Sequence, residues 1–270
     1  MNTIEKELIH VLDRSYSYGD YTQSAAIYDS RPGYASGVIR CLTSYVAVGR
    51  DDFQVADLGA GTGTLTFLFE ELGLTGYAVE PHEAMLAEAK RKNASRRRVK
   101  WSKGTAEDTG LPDSCVDWVT VGNAFHLMDQ PAVLREALRI LRPKGFFTAA
   151  WVLRDIERRP VVQETEGLIA ARYPKLKRLM ARVYELWPKM EKVLMEDAGF
   201  TGCLYVEMSL TVPMTPERYL RMFMGQADIP GQIGAQRWAE LLKEIWTGIQ
   251  DRGEMRPRFL TCAWTVREGA

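Results

Sequence analysis

Apolar positions along the middle of the chain alternate between two kinds of pattern. Short apolar runs end in glycine, as in FQVADLG (53–59) and VDWVTVG (116–122). Stretches with apolar residues three and four positions apart lie between these runs, as in PAVLREALRIL (131–141). Strands that alternate with helices are typical of a mostly parallel sheet with helices on both faces. The pattern therefore predicts an α/β fold from about residue 53 to Trp151.

After Trp151 the alternation stops and the pattern becomes mainly helical. Helices are expected within 156–187, over 188–198 and over 235–252, and two further strands at 204–212 and 259–266. With the strands predicted at 53–59, 77–80, 98–104, 116–122 and 145–151, the sheet has seven strands. A long helical stretch separates the last two strands, which favours an antiparallel pair at one edge, with the last strand antiparallel.

These patterns predict three segments. They are an N-terminal helical lid (1–50), a core of strands and helices (51–151), and a remainder (152–270) that completes the sheet. The remainder carries helical insertions at about 152–187 and 214–257. Ligands of open α/β sheets bind beyond the carboxyl ends of the strands, so we expect the lid and both insertions to form a helical cap over that edge.

Composition excludes several classes of protein. The 270 residues include 35 Lys plus Arg and 35 Asp plus Glu, and this zero net charge argues against a nucleic-acid partner. No apolar stretch reaches the ~20 residues of a membrane span, and acids stand at the N-terminus where a secretory signal has an apolar block. Four scattered cysteines and three histidines predict neither disulfides nor a metal site. We expect a reduced, cytoplasmic protein.

The segment VADLGAGTGTLT (55–66) is the strongest chemical signal. An apolar strand ends in Asp57, and Gly59, Gly61 and Gly63 follow at alternate positions before a helix. Glycines there let the backbone approach a ligand closely. A dinucleotide loop reads G-x-G-x-x-G, whereas here the third glycine comes one residue early, which favours a ligand without a pyrophosphate. A glycine-rich turn without a ligand is the alternative interpretation.

Glu80 follows the second predicted strand, 21 residues beyond Gly59. An acid about 20 residues after the glycine loop holds ribose hydroxyls in βαβ nucleotide sites. A carboxylate accepts two hydroxyl protons at once. Glu80 is therefore predicted to bind ribose, the alternative being an exposed acid at a strand end.

Six motifs together resemble the class I S-adenosylmethionine-dependent methyltransferases, in particular the small-molecule group that includes trans-aconitate methyltransferase-like and ubiquinone/menaquinone-type enzymes. The motifs are YDSRPGY, the glycine loop, AVEP, GTAEDTGLPD, NAFHLMD and LRPKGFF. The resemblance covers about residues 20–151. It implies a Rossmann-like fold, S-adenosyl-L-methionine as cofactor and a small-molecule acceptor.

The resemblance also implies a role for individual residues. The glycine loop would lie against the methionine moiety, Glu80 would hold the ribose, and the segment after the third strand would border the adenine. Asn123 would face the methionine amino group through its backbone carbonyl, and Arg31 would pair with the methionine carboxylate. The residues expected to bind cofactor are Tyr28, Arg31, Asp57, Gly59, Ala60, Gly61, Glu80, Pro81, Met85, Thr105, Ala106, Glu107 and Asn123.

His126 follows the fourth strand, where the mouth of the active site is expected. It is the candidate catalytic residue, either as a base that takes a proton from the acceptor or as a residue that shapes the pocket. Methyl transfer often needs no base, which favours the second role. An aromatic set is expected to line the acceptor pocket, with core packing as the alternative; its members are Tyr16, Tyr18, Tyr21, Trp151 and Phe223.

Three functions remain open from the sequence. The first is methyl transfer to the oxygen, nitrogen or carbon of a small molecule by in-line displacement. The second is methylation of RNA or protein, for which the chain lacks an NPPY-type signature and an appended basic domain. The third is a cofactor-binding protein of the same fold without methyl transfer. A monomer or weak homodimer is expected.

Overall fold

The computed structural model describes residues 3–49, 52–95, 98–155 and 160–269. The predicted boundary between residues 50 and 51 lies outside the described residues, as do residues 156–159 of the first predicted insertion. The seven strands are β1 (Gln54–Leu58), β2 (Thr75–Val79), β3 (Val99–Ser102), β4 (Val116–Gly122), β5 (Leu141–Arg154), β6 (Phe200–Thr211) and β7 (Arg258–Glu268). The α-helices are α1 (Thr3–Leu12), α2 (Ser36–Val46), α3 (Thr64–Glu71), α4 (Glu83–Lys92), α5 (Gln130–Ile140), α6 (Pro160–Arg172), α7 (Leu179–Leu186), α8 (Pro216–Met224), α9 (Pro230–Ile233) and α10 (Ala235–Ile249).

All seven strands form one sheet in the order β3-β2-β1-β4-β5-β7-β6. Strands β1 to β5 pair in parallel. Hydrogen bonds between β5 and β7 join Lys144 to Glu268 and Thr148 to Thr265, so residue numbers increase along β5 in the direction in which they decrease along β7. β7 therefore runs antiparallel to β5. The predicted α/β fold, with seven strands and an antiparallel last strand, is confirmed.

The chain divides into two compact units, which we call the sheet unit and the helical unit. The sheet unit contains Gly33–Leu153, Arg182–Ser209 and Leu260–Ala270. The helical unit contains Met1–Pro32, Arg154–Ala181 and Leu210–Phe259. Helix α2, which the sequence placed in an N-terminal lid, thus belongs to the sheet unit. The role of the remaining segments as a cap stays a prediction.

The core of the sheet unit contains a short polar chain among large apolar side chains. The indole Nε1 of Trp118 on β4 donates to Thr148 Oγ1 at 2.8 Å, and Thr148 exchanges a hydrogen bond of 2.8 Å with Thr265 on β7. All three side chains are buried, and Phe53 and Phe69 pack beside Trp118. A buried indole N–H needs an acceptor, so Thr148 ties three strands together.

The helical unit packs its own core around α8. Thr215 caps this helix by accepting from the amide of Arg218 at 3.3 Å. Tyr219 and Phe223 lie one turn apart on its buried face, and the Tyr219 hydroxyl donates to Val161 O at 3.2 Å. The pKa of Tyr219 is raised to about 12, chiefly by burial. This helix therefore connects with α6 through a buried hydrogen bond as well as through apolar contact.

One predicted element differs in kind. Residues 188–198, expected to form an α-helix, form a 3₁₀ turn at Trp187–Lys189 followed by a π-helix at Lys192–Asp197. Pro188 has no amide hydrogen, so an ordinary α-helical ladder cannot pass through this point. The helical periodicity of the sequence does not distinguish these tighter and wider turns from an α-helix.

Within the described ranges, none of the helices is at once long enough and apolar enough to cross a membrane. The same residues contain no group of three or more His, Cys, Asp or Glu side chains placed to hold a metal ion.

We expect Thr148→Val to lower the free energy of unfolding by about 1–3 kcal/mol, because the buried indole N–H of Trp118 then loses its acceptor. Urea unfolding measures the change. Thr211→Val is the matched control, since Thr211 is exposed at the end of β6, and we expect it to shift stability by less than about 0.5 kcal/mol. Equal effects of the two variants would show that the Trp118–Thr148 hydrogen bond contributes nothing.

Candidate functional site

The loop after β1 is held against the end of β2 by its own backbone. The amides of Gly59 and Ala60 both donate to Val79 O, at 2.8 and 3.1 Å. Gly59, Gly61 and Gly63 all have positive φ, at 66°, 59° and 96°. This conformation is accessible to glycine at little steric cost. The alternating glycines therefore form a tight turn that passes over the carboxyl end of β2 and leads into α3.

Gly59 and Gly61 differ in the space that is available for a side chain. A side-chain carbon on Gly59 would lie 2.7 Å from the Met128 Cε atom. The same carbon on Gly61 would meet no heavy atom closer than Met85 Cε, at 3.9 Å. Positive φ accounts for glycine at both positions, and at 61 the missing side chain also leaves a cradle of open space.

Asp57 supports the loop from below. Its carboxylate accepts hydrogen bonds from Thr66 Oγ1 at 2.5 Å and Thr120 Oγ1 at 3.2 Å, and the residue is 1% exposed. Burial raises the pKa of Asp57 to about 7, against the opposing effect of the two threonines. The two carboxylate oxygens of Asp57 thus connect β1 to α3 and to β4. The predicted contact of Asp57 with cofactor stays a prediction.

Glu80 connects the glycine loop to the start of α4. Its Oε2 accepts from the amide of Gly61 at 2.7 Å, and its Oε1 accepts from the amide of His82 at 2.8 Å. Burial raises the pKa of Glu80, and the two amide donors oppose that shift. Each carboxylate oxygen has capacity for a second donor. Glu80 can therefore hold the loop and accept a hydroxyl proton from a ligand at the same time.

Other residues predicted at this edge lie at the ends of neighbouring strands and in the loops that follow. Thr105 and Asp108 form a turn in which Thr105 Oγ1 accepts from the Asp108 amide at 3.1 Å. Glu107 Oε1 accepts from the amide of Asp129 at 3.2 Å, which ties this turn to the start of α5. Pro81 is exposed and Met85 is buried at the beginning of α4.

Ser102 is a polar residue at this edge that the sequence analysis did not select. Its Oγ atom is buried at the carboxyl end of β3 and has no hydrogen-bond partner among the described residues. The only signal in the sequence was a serine at a predicted strand end. The buried amide of Ala106, four residues further, likewise donates to no acceptor within the described part of the chain. Both atoms are free to bind a ligand.

Asn123 has a backbone conformation that is rare for a residue with a side chain. It follows β4 with φ of 56°, and its amide donates to Ala150 O at 2.7 Å while its Oδ1 accepts from the Val152 amide at 2.8 Å. Two bonds to β5 hold this strained turn, which resembles the strain found at functional sites. Its Oδ1 is engaged by β5, so the backbone carbonyl and the Nδ2 donors remain to meet a ligand.

His126 is buried beside β5 and its ring orientation is defined by Trp151. The indole Nε1 of Trp151 donates to His126 Nδ1 at 3.1 Å. An indole nitrogen can only donate, so His126 Nδ1 is the acceptor and, in the neutral ring, Nε2 carries the proton. Burial lowers the pKa of His126 to about 4, with a smaller effect of Arg182. At neutral pH this histidine is therefore a hydrogen-bond donor.

The remaining predicted residues divide between the two units. Tyr28 and Arg31 belong to the helical unit, where Arg31 donates to Tyr28 Oη at 3.2 Å and to Gly225 O at 2.7 Å. Their predicted contact with cofactor stays a prediction.

The aromatic set predicted for the acceptor pocket is similarly divided. Trp151 is 1% exposed and packs edge-on against Trp264, at 5.7 Å between ring centroids, within the sheet unit. Phe223 is fully buried on α8, and Tyr21 packs against the edge of Tyr28. Tyr16 is partly buried and Tyr18 is 40% exposed. Trp151 and Phe223 are thus packed in the cores of their own units, and the place of the aromatic set in an acceptor pocket stays a prediction.

A family of methyltransferase domains matches residues 56–149. An uncharacterized methyltransferase of Mycobacterium tuberculosis (strain ATCC 25618 / H37Rv) is 36% identical over 157 residues, which are 58% of this chain and 60% of that protein. The ubiquinone/menaquinone biosynthesis C-methyltransferase of Rubrivivax gelatinosus is 32% identical over 108 residues, 37% of this chain and 42% of that protein. The chain thus spans about three-fifths of the length of the first relatives.

Solved structures share the fold. A phosphoethanolamine N-methyltransferase of Haemonchus contortus, in complex with phosphomonomethylethanolamine and S-adenosylhomocysteine, superposes with a TM-score of 0.54 at 14% identity, covering 97% of this chain and 60% of that chain. A type II methyltransferase structure from Anaeromyxobacter dehalogenans gives a TM-score of 0.52 at 21% identity, covering 88% and 97%. At these identities the likeness establishes the fold.

We expect the His126 ring to remain neutral at pH 6 and to carry its proton on Nε2, because Trp151 occupies Nδ1 and burial disfavours the charged form. Long-range ¹H–¹⁵N spectra of the imidazole nitrogens distinguish the two tautomers. The His126→Asn variant identifies the signals of this ring. A proton on Nδ1, or a midpoint near the ordinary value for histidine, would contradict the geometry.

Asp57 is expected to make stability depend on pH. Its pKa in the folded protein is about 7, above the value in an unfolded chain. The folded state therefore binds the proton more tightly, so this contribution to stability is present below pH 4 and is lost as the pH rises through 7. The unfolding free energy of the wild type, measured relative to that of Asp57→Asn, should fall by on the order of 1–3 kcal/mol between pH 4.5 and 7.5. A constant difference across this range would contradict it.

Proposed function

We propose that this chain contains a class I S-adenosylmethionine-dependent methyltransferase domain and that the protein transfers a methyl group from S-adenosyl-L-methionine to a small-molecule acceptor by in-line displacement. The observation that carries the proposal is the cradle of open space at Gly61, whose backbone amide donates to Glu80. Glu80, Ser102, the Ala106 amide and the Asn123 carbonyl have unused hydrogen-bonding capacity at or after the ends of β2, β3 and β4.

The free groups match the parts of the cofactor. The turn of Gly59, Ala60 and Gly61 would lie against the methionine moiety, and the remaining capacity of Glu80 would take the ribose hydroxyls. The amide of Ala106 and the hydroxyl of Ser102 would meet the polar atoms of the adenosine. The Asn123 carbonyl would accept from the methionine ammonium. Further contacts are proposed from Pro81, Met85, Thr105 and Glu107, while Asp57 acts by holding the loop.

When bound, S-adenosyl-L-methionine supplies a methyl carbon that is already electrophilic, because it is attached to a sulfonium sulfur. Displacement would leave the electron pair of the carbon–sulfur bond on sulfur and would need the acceptor atom in line with that bond. The protein must therefore align the reacting atoms and exclude water. Alignment of this kind can contribute up to ~7–11 kcal/mol in the best models. No metal and no covalent nucleophile are required for this step.

His126 is proposed to orient the acceptor and not to accept its proton. The neutral ring offers an N–H at Nε2, and its other nitrogen is engaged by Trp151. A base would need a free lone pair at the position that faces the acceptor. A donor at this position can bind an oxygen of the acceptor and hold it in line. This supports the pocket-shaping role that the sequence favoured.

Calorimetry with adenosylhomocysteine is the direct test of the cofactor site. We expect saturable binding by the wild type, and a loss of about 1–3 kcal/mol in Glu80→Ala, the cost of leaving polar groups unpaired. Glu83→Ala is the matched control, because Glu83 is an exposed acid on α4 whose partner is Lys103. We expect this control to bind as the wild type does.

Further outcomes separate the alternatives. Binding of NADH without binding of adenosylhomocysteine would overturn the proposal. Adenosylhomocysteine binding with no methyl release from any panel of small hydroxyl, amine and carbon acids would favour a binding protein. Salt-dependent RNA binding with methyl transfer to RNA would favour a nucleic-acid acceptor.

A further inference from the structure

Three arginines and two carboxylates form a cluster within the helical unit. Arg31 follows the first 3₁₀ turn, Arg154 is the last residue of β5, and Arg178 precedes α7. Glu166 lies on α6 and Asp228 lies between α8 and α9. We call these five residues the arginine cluster.

Glu166 and Asp228 are shared among the arginines. Glu166 Oε1 lies 2.8 Å from an Nη of Arg154, and its Oε2 accepts from Arg178 at 2.9 Å. Asp228 Oδ2 accepts from Arg178 Nε and from the amide of Leu179, both at 3.0 Å. Arg178 therefore pairs with both carboxylates, whereas Arg154 pairs with Glu166 alone and shares it with Arg178.

Arg31 has no carboxylate partner among the described residues. Its guanidinium donates to a phenol oxygen of Tyr28 and a carbonyl of Gly225, and its Nε atom is buried without an acceptor. Burial alone would lower its pKa, but Tyr28, Tyr21 and Asp228 act together to raise it. The Arg31 guanidinium therefore donates to neutral oxygens, while the Asp228 carboxylate helps to stabilise its charge.

Arg154 is also incompletely satisfied. Its side chain is 14% exposed, its guanidinium carbon lies 5.1 Å from the ring centroid of Phe223, and the Nη atom near Glu166 makes no well-formed hydrogen bond. Beyond that ion pair, no acceptor in the described ranges receives a bond from this guanidinium. The guanidinium N–H groups of Arg154 are therefore held in place by packing and can donate to a ligand.

The cluster has one more positive charge than its two carboxylates neutralise. Burying an uncompensated charge is expensive, so such a surplus persists where a bound counterion completes it. Asp228 Oδ1 is likewise buried without a partner in the described chain, which leaves room for a hydroxyl or amine donor beside the anion. Planar guanidinium forks match the two oxygens of a carboxylate or a phosphate.

We propose that the arginine cluster binds an oxyanion, namely the carboxylate or phosphate group of a small molecule, held chiefly by Arg154. A cofactor carboxylate is the other source of the same chemistry, and the experiment separates the two.

The test is calorimetric titration of the full chain with inorganic phosphate and with succinate, in the presence of saturating adenosylhomocysteine and at constant ionic strength. Binding of adenosylhomocysteine is measured first in the same cell, so failure of the proposed function is recognised separately. We expect saturable binding of at least one anion. Arg154→Gln should weaken it about tenfold or more.

Arg237→Gln is the matched control, because Arg237 is exposed on α10 of the same unit, and it should bind the anion as the wild type does. Arg154→Lys keeps the charge but loses the fork. If Arg154→Gln does not fold, Arg154→Lys should still bind at least threefold more weakly at an unchanged melting temperature.

Three results would overturn the proposal. The first is the absence of saturable anion binding while adenosylhomocysteine binds. The second is saturable anion binding in a parallel titration without adenosylhomocysteine that is lost when adenosylhomocysteine is added, which would assign the surplus charge to the cofactor's carboxylate. The third is anion affinity that is the same in wild type and in both Arg154 variants, with only the melting temperature changed, which would make the cluster structural.

Discussion

The candidate site depends on one carboxylate. Glu80 accepts from two backbone amides, one in the glycine loop and one at the start of α4. Because β1 and β2 pair in parallel, these loops emerge at the same edge of the sheet. Removing this acceptor would leave two amides without a partner and would release the Gly61 turn. The open space at Gly61 therefore depends on Glu80 as much as on the glycine itself.

A second constraint acts one strand pair away. Trp151 and His126 are both buried, and an indole nitrogen can only donate. The hydrogen bond between them therefore determines which imidazole nitrogen carries the proton. Trp151, expected from the sequence to line an acceptor pocket, lies in the core and acts on the site through His126. Trp151 can orient His126 in this way while it is itself buried.

The helical unit contains the opposite arrangement. In the sheet unit the buried carboxylate of Asp57 has partners in Thr66 and Thr120. In the arginine cluster a buried Arg31 donates to neutral oxygens and Arg154 has one shared carboxylate. A charge that the fold leaves uncompensated is a reason to look for a ligand, because neutralising it internally would have needed only one more acid.

The sequence by itself determined the strand and helix order, the glycine loop and the position of Glu80, because apolar periodicity and residue spacing are local properties of the chain. It could not show that Asp57 is buried, since an acid at a strand end looks the same whether threonines from α3 and β4 donate to it or not. It also gave no sign of Ser102, the tautomer of His126 or the pairing of Arg31, Arg154 and Arg178. These depend on contacts between residues far apart in the chain, and only the tertiary structure brings the partners together.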